Sequence, residues 1–302
     1  NDAKNDRKDA KGKTMSTVLV AGATGYLGRH IVEELHRRGR RVRAVVRDRA
    51  RAEKEGPWKS PPLEGLVEEW AVGDVAEPDF VKGLAKGAAQ VVSALGVTRQ
   101  KADPWQIDNL ANRAILASAL RHGVASFTYV NVLGGEKCPA KLTRAKTAFA
   151  RTLKRADVLS QIVNPSAYFS DMMSVLKMAK RGKVRIFDPA IRLNPIHGAD
   201  LAVCICDLME KGEKGSWDVG GPDVFTWDEL ARTALAAMEK RPRVGKIPTW
   251  ILPPALGLTS LFSRRLADAA RFATWNMLHD CVGPATGVRH LADFYAENRD
   301  LV

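Results

Sequence analysis

Four cysteines in a chain of 302 residues are too few to staple a fold, so a hydrophobic core must hold it. No uninterrupted run reaches the roughly 18 apolar residues that a membrane-spanning helix needs. Metal signatures are missing as well. The six histidines show no H-E-x-x-H spacing. Cys204 and Cys206, two apart on an expected helix, face different directions and read as buried free thiols, so no metal site is expected. There is no G-x-S-x-G elbow for a Ser-His-Asp hydrolase. Zinc-ligand spacings and RNP-type aromatic motifs are absent, which leaves no recognisable nucleic-acid module. Acidic residues are in short supply: 34 Asp and Glu face 47 Lys and Arg, a net charge of +13. Such a surface attracts phosphorylated ligands, polyanions or acidic membranes. Nucleic acid is suggested by this charge alone.

What is present has the balance of a globular protein, with 45% hydrophobic and 27% charged residues. Disordered, collagen-like and coiled-coil classes are thereby excluded for the whole chain. Residues 1–14, NDAKNDRKDAKGKT, are polar and without apolar periodicity, and read as a disordered leader. The chain does not open on Met, and Met15 begins a start-like MSTVLV. The leader is therefore either added sequence or the remainder of a processed targeting peptide. In the second case the compartment is the plastid stroma or the mitochondrial matrix, and otherwise the cytoplasm.

From Thr17 the pattern runs strand, turn, helix, and repeats. Val18–Val20 is a short apolar run, as in a parallel strand buried on both faces. A helix follows with Leu27, Ile31 and Leu35 in register, stopped by Gly39. Further strands are expected near 42–46, 70–72, 90–94, 127–130 and 159–163. Strands alternating with helices predict an α/β fold with a Rossmann-type, doubly wound parallel sheet. After Pro165 the rhythm changes to a Met-rich helix over 171–180, a strand-like piece over 183–187, and helices from about 198 and over 227–239. The expected organisation is a doubly wound core over 15–165. A smaller C-terminal substrate-side lobe over 166–302 is expected to be partly intertwined with it.

The turn GATGYLG supplies Gly22, Thr24, Gly25, Tyr26, Leu27 and Gly28 where a strand meets a helix. The first glycine suits a tight turn, the second the approach of a pyrophosphate, and the third close helix–strand packing. Arg29-His30 follows, where a P-loop needs Lys-Ser or Lys-Thr. At the end of the second strand an NAD binder places a carboxylate, whereas this chain has Arg47, then Arg49 and Arg51. Guanidinium pairs with a 2′-phosphate that a carboxylate repels, so the expected cofactor is NADP(H). Asp48 reads as a cap or turn residue.

VLVAGATGYLGRHIVEEL resembles the opening of the atypical short-chain dehydrogenases of the NmrA-like group. The resemblance continues through GDV at 73–75, SALG at 93–96, NPIHGADLA at 194–202 and VGGPDVFTWDEL at 219–230. That group includes isoflavone-type and divinyl-chlorophyllide reductases, nitrogen-regulation sensors and an accessory subunit of respiratory complex I. The resemblance implies that Asp74 contacts the adenine and that Val75 packs near it. It implies that Ala94, Leu95 and Gly96 line the cofactor, and that Arg47 occupies the NADPH-selecting position. Asn164 falls among the expected cofactor contacts, at a place where relatives usually carry Arg-Pro.

The catalytic pattern is incomplete. Where members with a Ser and a Tyr-x-x-x-Lys place those residues, this chain reads YVNVLGG, with Asn131 and Val132, and LTRAK, with Leu142 and Lys146. Leu142, Lys146, Phe149 and Leu153 share one helical stripe, which makes Lys146 the one charged residue on the expected buried side. A buried ammonium is costly unless paired or functional, so Lys146 is either the candidate proton donor or a lysine that bonds ribose hydroxyls or a backbone carbonyl. Tyr168, Phe169, Met172 and Met173 either line an apolar pocket or pack in the core, with Trp105 and Trp275 as further pocket candidates. His197 is expected at the join between the lobes. The apolar stretch IPTWILPPALGLTSLF is too short to span a bilayer; it could rest on a membrane or a partner, or cover the pocket. Two functions remain open. One is an NADPH-dependent reductase of a small conjugated or quinone-like substrate. The other is a non-catalytic NADP(H)-binding regulator or accessory subunit of a larger complex.

Overall fold

A computed structural model describes residues 16–97 and 102–302. The expected leader, 1–14, lies outside the described residues. The first strand, β1 (Thr17–Ala21), is buried along its whole length. Its side chains alternate, as the two-residue period of a strand requires: Val18 and Val20 enter the core on one face of the sheet, Leu19 and Ala21 that on the other. Helix α1 (Tyr26–Arg37) buries Leu27, Ile31 and Leu35 on the first face. Each such aliphatic side chain contributes about 1.5–3 kcal/mol relative to exposure. Gly39, at φ +69°, ends the helix in the left-handed conformation.

The chain continues through β2 (Arg41–Val46), the short α2 (Arg49–Ala52), β3 (Glu69–Val72), α3 (Pro78–Lys82) and β4 (Gln90–Ser93). A π-helical stretch, Trp105–Ala111, leads into α4 (Asn112–Arg121), then β5 (Ser126–Val130), α5 (Lys141–Lys154) and β6 (Leu159–Pro165). The later elements are α6 (Phe169–Lys180), β7 (Val184–Ile186), β8 (Arg192–Leu193), α7 (Gly198–Lys211), β9 (Gly215–Val219), β10 (Phe225–Thr226), α8 (Trp227–Ala237) and β11 (Val244–Lys246). Then come α9 (Leu252–Phe262), α10 (Arg264–Asn276) and α11 (Leu291–Asn298).

The central sheet has seven strands in the order β3-β2-β1-β4-β5-β6-β9, every pair parallel. Helices α1 and α7 cover one face; α3, α4 and α5 contribute to the core on the other. This is the expected Rossmann-type architecture. Strand order reverses between β1 and β4, which opens the crevice where such sheets bind ligands. Although β9 follows the Met-rich helix in sequence, it pairs with β6 at the sheet edge. A third core, from α6, β7, β8, α8 and α11, forms the smaller lobe, and it absorbs Phe169, Met172 and Met173. Those three therefore pack as core side chains. Among the described residues no helix is long and apolar enough to cross a membrane.

Candidate functional site

The sheet order lines up the carboxyl ends of four neighbouring strands. Asp74 follows β3, Arg47 follows β2, the glycine turn follows β1, and Ala94–Gly96 follow β4. Sequence segments far apart are thus brought to one edge of the sheet.

Within the turn the three glycines do different work. Gly22 sits at φ +80°, and a Cβ there would come within 2.8 Å of the Ala94 and Leu95 backbone. A Cβ at Gly28 would run into the Gly22 carbonyl oxygen. Both are demanded by the fold. Gly25 is not: its φ of −72° suits any residue, and its Cβ would lie 3.4 Å from Gly22 O. It is also the N-cap of α1, and its position offers no side-chain cap to the first-turn N–H groups. Room and uncapped donors at a helix N-terminus fit the phosphates of a dinucleotide. Gly25→Ala is therefore expected to leave the melting temperature almost unchanged and to weaken dinucleotide binding. Gly28→Ala is expected to destabilise the fold itself. Thermal melts and a fluorescence titration of both variants would separate these roles; equal melting losses would refute the distinction.

Leu27 is buried in the core and contributes backbone only to the turn. The Tyr26 ring points into the lobe junction, its hydroxyl accepting from Gly198 N (3.1 Å) and its edge against His30 and His197. Burial pushes its hydroxyl well above the ordinary phenol range. His197 completes this junction with Phe169 and Phe294, as its family-like segment led us to expect. Its Nδ1 accepts from Ala199 N (3.1 Å) and caps α7. Burial, aided by His30 and Arg289 and opposed by Asp200 and Glu33, lowers its pKa from 6.5 to about 4. The folded state thus prefers neutral His197. Its stabilisation is present above pH 6.5 and is lost as the pH falls toward 4. The loss is on the order of 3 kcal/mol, at about 1.4 kcal/mol per pKa unit. His197→Asn keeps a capping acceptor without a titrating group. Urea midpoints of the variant should fall less steeply across this window than those of the parent.

Arg47 is exposed at the end of β2 and has no partner among the described residues. Arg49 is already engaged: its Nε donates to Glu53 Oε1 (2.8 Å) and its guanidinium lies 5.2 Å from the Trp70 ring centre. Asp48 caps α2, accepting from Arg51 N at 3.0 Å. Asp74 is exposed and accepts from Ala76 N (2.9 Å) in a turn of its own, while Val75 packs against the core below. The Asn164 amide is turned toward β9: it accepts from Asn131 Nδ2 (3.0 Å) and donates to Ser216 Oγ (3.1 Å) and Asp218 Oδ1 (2.9 Å).

One residue important here had no sequence signal beyond excluding a P-loop. Arg29 is 2% exposed and has no carboxylate partner among the described residues. Its guanidinium donates to the carbonyls of Thr24, Arg51, Ala52, Lys54 and Pro61, at 2.7 to 3.4 Å. It ties the glycine turn to the arginine-bearing segment after β2.

Lys146 lies on the buried flank of α5, with its side chain 12% exposed. The ammonium is paired: Nζ is 3.1 Å from Oδ1 of the fully buried Asp108 and donates to Val130 O at 3.3 Å. Pairing with that carboxylate is one of the two ways in which a buried ammonium is tolerated. Asp108 Oδ2 accepts from Val97 N (3.1 Å). Asn112 fixes the π-helical stretch that carries Asp108, accepting from Ser93 Oγ (2.6 Å) and donating to Asp108 O (3.1 Å). Gly96 lies flush on the ion pair, since a Cβ there would sit 2.9 Å from Asp108 Oδ1 and 3.1 Å from Lys146 Nζ. Burial raises the Asp108 carboxyl above the ordinary range despite the opposing ammonium. Leu142, one turn before Lys146, is half-buried, and Asp268 from α10 caps α5 through Lys141 N (2.7 Å) and Leu142 N (3.3 Å). A groove of about 1000 Å³ opens on the other flank of α5, beside Thr147, Arg151, Asn131, Asn164 and Trp275. Trp105 is on the π-helical stretch, 39% exposed.

A sequence profile of the NAD(P)H-binding family matches residues 22–187, more than half of the chain. The divinyl chlorophyllide a 8-vinyl-reductase of Zea mays, a chloroplastic protein, is 28% identical over 278 residues, covering 85% of this chain and 69% of the maize protein. The mitochondrial NADH dehydrogenase [ubiquinone] 1 alpha subcomplex subunit 9 of Arabidopsis thaliana is 24% identical over 259 residues. That match covers 80% of this chain but 63% of the subunit, less than two thirds of its length. The crystal structure of an NADPH-dependent quinone oxidoreductase from Escherichia coli, complexed with NADPH, superposes with a TM-score of 0.71 at 16% identity. That superposition covers 92% of this chain and 98% of the other, and shows the shared fold. Together with the parallel sheet and the glycine turn, these matches establish that the chain belongs to the NAD(P)H-binding family, among the atypical short-chain dehydrogenases of the NmrA-like group.

Proposed function

We propose that this protein is an NADPH-dependent reductase acting on a small conjugated or quinone-like molecule. The observation that carries this reading is the buried Lys146–Asp108 pair. It is seated against Gly96 on the same sheet edge as the uncapped glycine turn and Arg47. The backbone of Gly22–Gly28 would hold the pyrophosphate, Arg47 the 2′-phosphate, Asp74 and Val75 the adenine end, and Ala94–Gly96 the ribose side. The cofactor supplies a hydride when bound. The chain's own residues position the partners and deliver the proton. An ammonium has three donors; Lys146 gives one to Val130 O, and its charge faces Asp108 Oδ1 at 3.1 Å as an ion pair. A donor is left to bond a ribose hydroxyl or to protonate the substrate. Asp108 keeps that ammonium in place, and Gly96 leaves room beside it. Tyr129 is no substitute acid, because its hydroxyl is fully buried in β5 and held far above the ordinary phenol range by desolvation.

A second reading is favoured by Asn131 and Leu142, which stand where catalytic members carry Ser and Tyr: a non-catalytic NADP(H)-binding accessory subunit. The test is consumption of NADPH by the full chain in the presence of a panel of quinones and enones. Steady turnover is expected. NADPH bound tightly with no oxidation by any of them would replace the reductase reading with the second.

A further inference from the structure

We propose that the α9–α10 hairpin docks this protein on an anionic phospholipid bilayer. From Ile247 to Ser263 the chain carries no charged residue. A helix of the composition LPPALGLTSLF is expected to hide its apolar surface against the protein. Instead, Trp250 is 74% exposed, Leu258 59%, and Leu266 on the following helix 63%. Charge brackets this surface. Lys240, Arg241, Arg243 and Lys246 precede it and are exposed, and Arg264, Arg265 and Arg271 follow in sequence. The acidic residues of the same window are already used, Glu239 by Arg299 (2.9 Å) and Asp268 as the cap of α5.

An uncharged apolar segment with an exposed tryptophan at its border and cations on both sides in sequence has the chemistry of a short insert into a membrane interface. The side chains enter the acyl boundary, and the cations meet lipid phosphates. The helix has 11 residues, which suits lying in the interface and is too short for crossing. Charge complementarity selects an anionic bilayer as the occupant over a neutral one. The hairpin is joined to the site, since Asp268 on α10 caps α5 one turn before Lys146. Docking would therefore hold that end of α5 near the lipid surface. The inference is independent of whether the chain turns over NADPH.

The test is co-sedimentation of the full chain with vesicles of phosphatidylcholine alone and of phosphatidylcholine with phosphatidylglycerol. Sedimentation is expected with the phosphatidylglycerol vesicles, weakening as salt is added. The double variant W250S/L258S should reduce partitioning by about tenfold or more, because it removes two exposed apolar anchors. K246E/R271E should reduce it similarly and flatten the salt dependence. Both should keep the parent's melting temperature and dinucleotide affinity. Quenching of tryptophan fluorescence by lipids brominated on the acyl chain should be seen in the parent and diminished in W250S/L258S. Failure to sediment with phosphatidylglycerol vesicles would overturn the proposal. So would sedimentation that W250S/L258S leaves unchanged, since overall charge would then suffice. Self-association lost in W250S/L258S, without vesicle binding, would assign the surface to a second copy of the chain instead.

Discussion

Lys146→Met is expected to lower folding stability by about 3–5 kcal/mol at neutral pH, the cost of leaving one member of a buried ion pair alone. The member left behind is Asp108, which has no exposed surface. Its carboxyl is already raised by burial, and the ammonium is the largest influence holding it down. Without Lys146 it takes up a proton at still higher pH. An acid whose folded pKa exceeds its unfolded one gives stability that is present below the unfolded value and lost as pH rises through the folded one. The deficit of Lys146→Met relative to the parent should therefore grow from acidic to neutral pH. The double variant K146M/D108N, which buries a neutral amide, should recover most of it. Urea unfolding at both pH values checks this; a deficit independent of pH, or a double variant no better than the single, would refute the account. If Lys146 is also the proton donor, kcat falls by about 10²-fold or more while NADPH affinity changes less.

The second large effect is expected at Arg47. Arg47→Asp should weaken NADPH by about a hundredfold, through loss of a charge-assisted bond of about 1.5–3 kcal/mol and addition of a repulsive carboxylate. NADH, lacking the 2′-phosphate, should bind the variant at least as well as the parent. Arg49→Ala is expected to do much less, since Arg49 is occupied by Glu53 and Trp70. Paired titrations with the two dinucleotides read this directly. Equal weakening of both would mean that Arg47 acts on the fold of the loop and not on the phosphate.

The parts of this architecture that were legible in sequence are those written locally. An all-apolar strand such as Thr17–Ala21, followed within a few residues by a glycine turn and an amphipathic helix, is one contiguous signal. Lys146 was visible because helical periodicity alone placed it on a buried stripe. Its partner was not. Asp108 is far away in sequence, in a π-helical stretch whose period matches no standard pattern. Asp268, which caps α5 from a helix near the other end of the chain, is equally silent, because a cap supplied across the fold leaves no spacing rule. β9 escaped for another reason: as an edge strand with exposed Ser216 and Asp218 it lacks the apolar run of its neighbours. Tyr26 sits inside the most readable motif, yet its ring serves the lobe junction, since a motif specifies backbone path more tightly than side-chain direction.

Arg29 holds the loop after β2 by main-chain oxygens alone. Every residue has a carbonyl, so this clamp reads the course of the loop more than its letters, Gly56 excepted. Exposed side chains between Arg51 and Pro61 can therefore drift without unfastening it, but Gly56 cannot, since a Cβ there would strike the Arg29 guanidinium, nor can the buried Ala52 and Ser60; inserting or deleting a single residue would take the carbonyls out of reach. Cofactor preference in this protein is accordingly open to redesign by substitution at the loop and closed to redesign by changing its length.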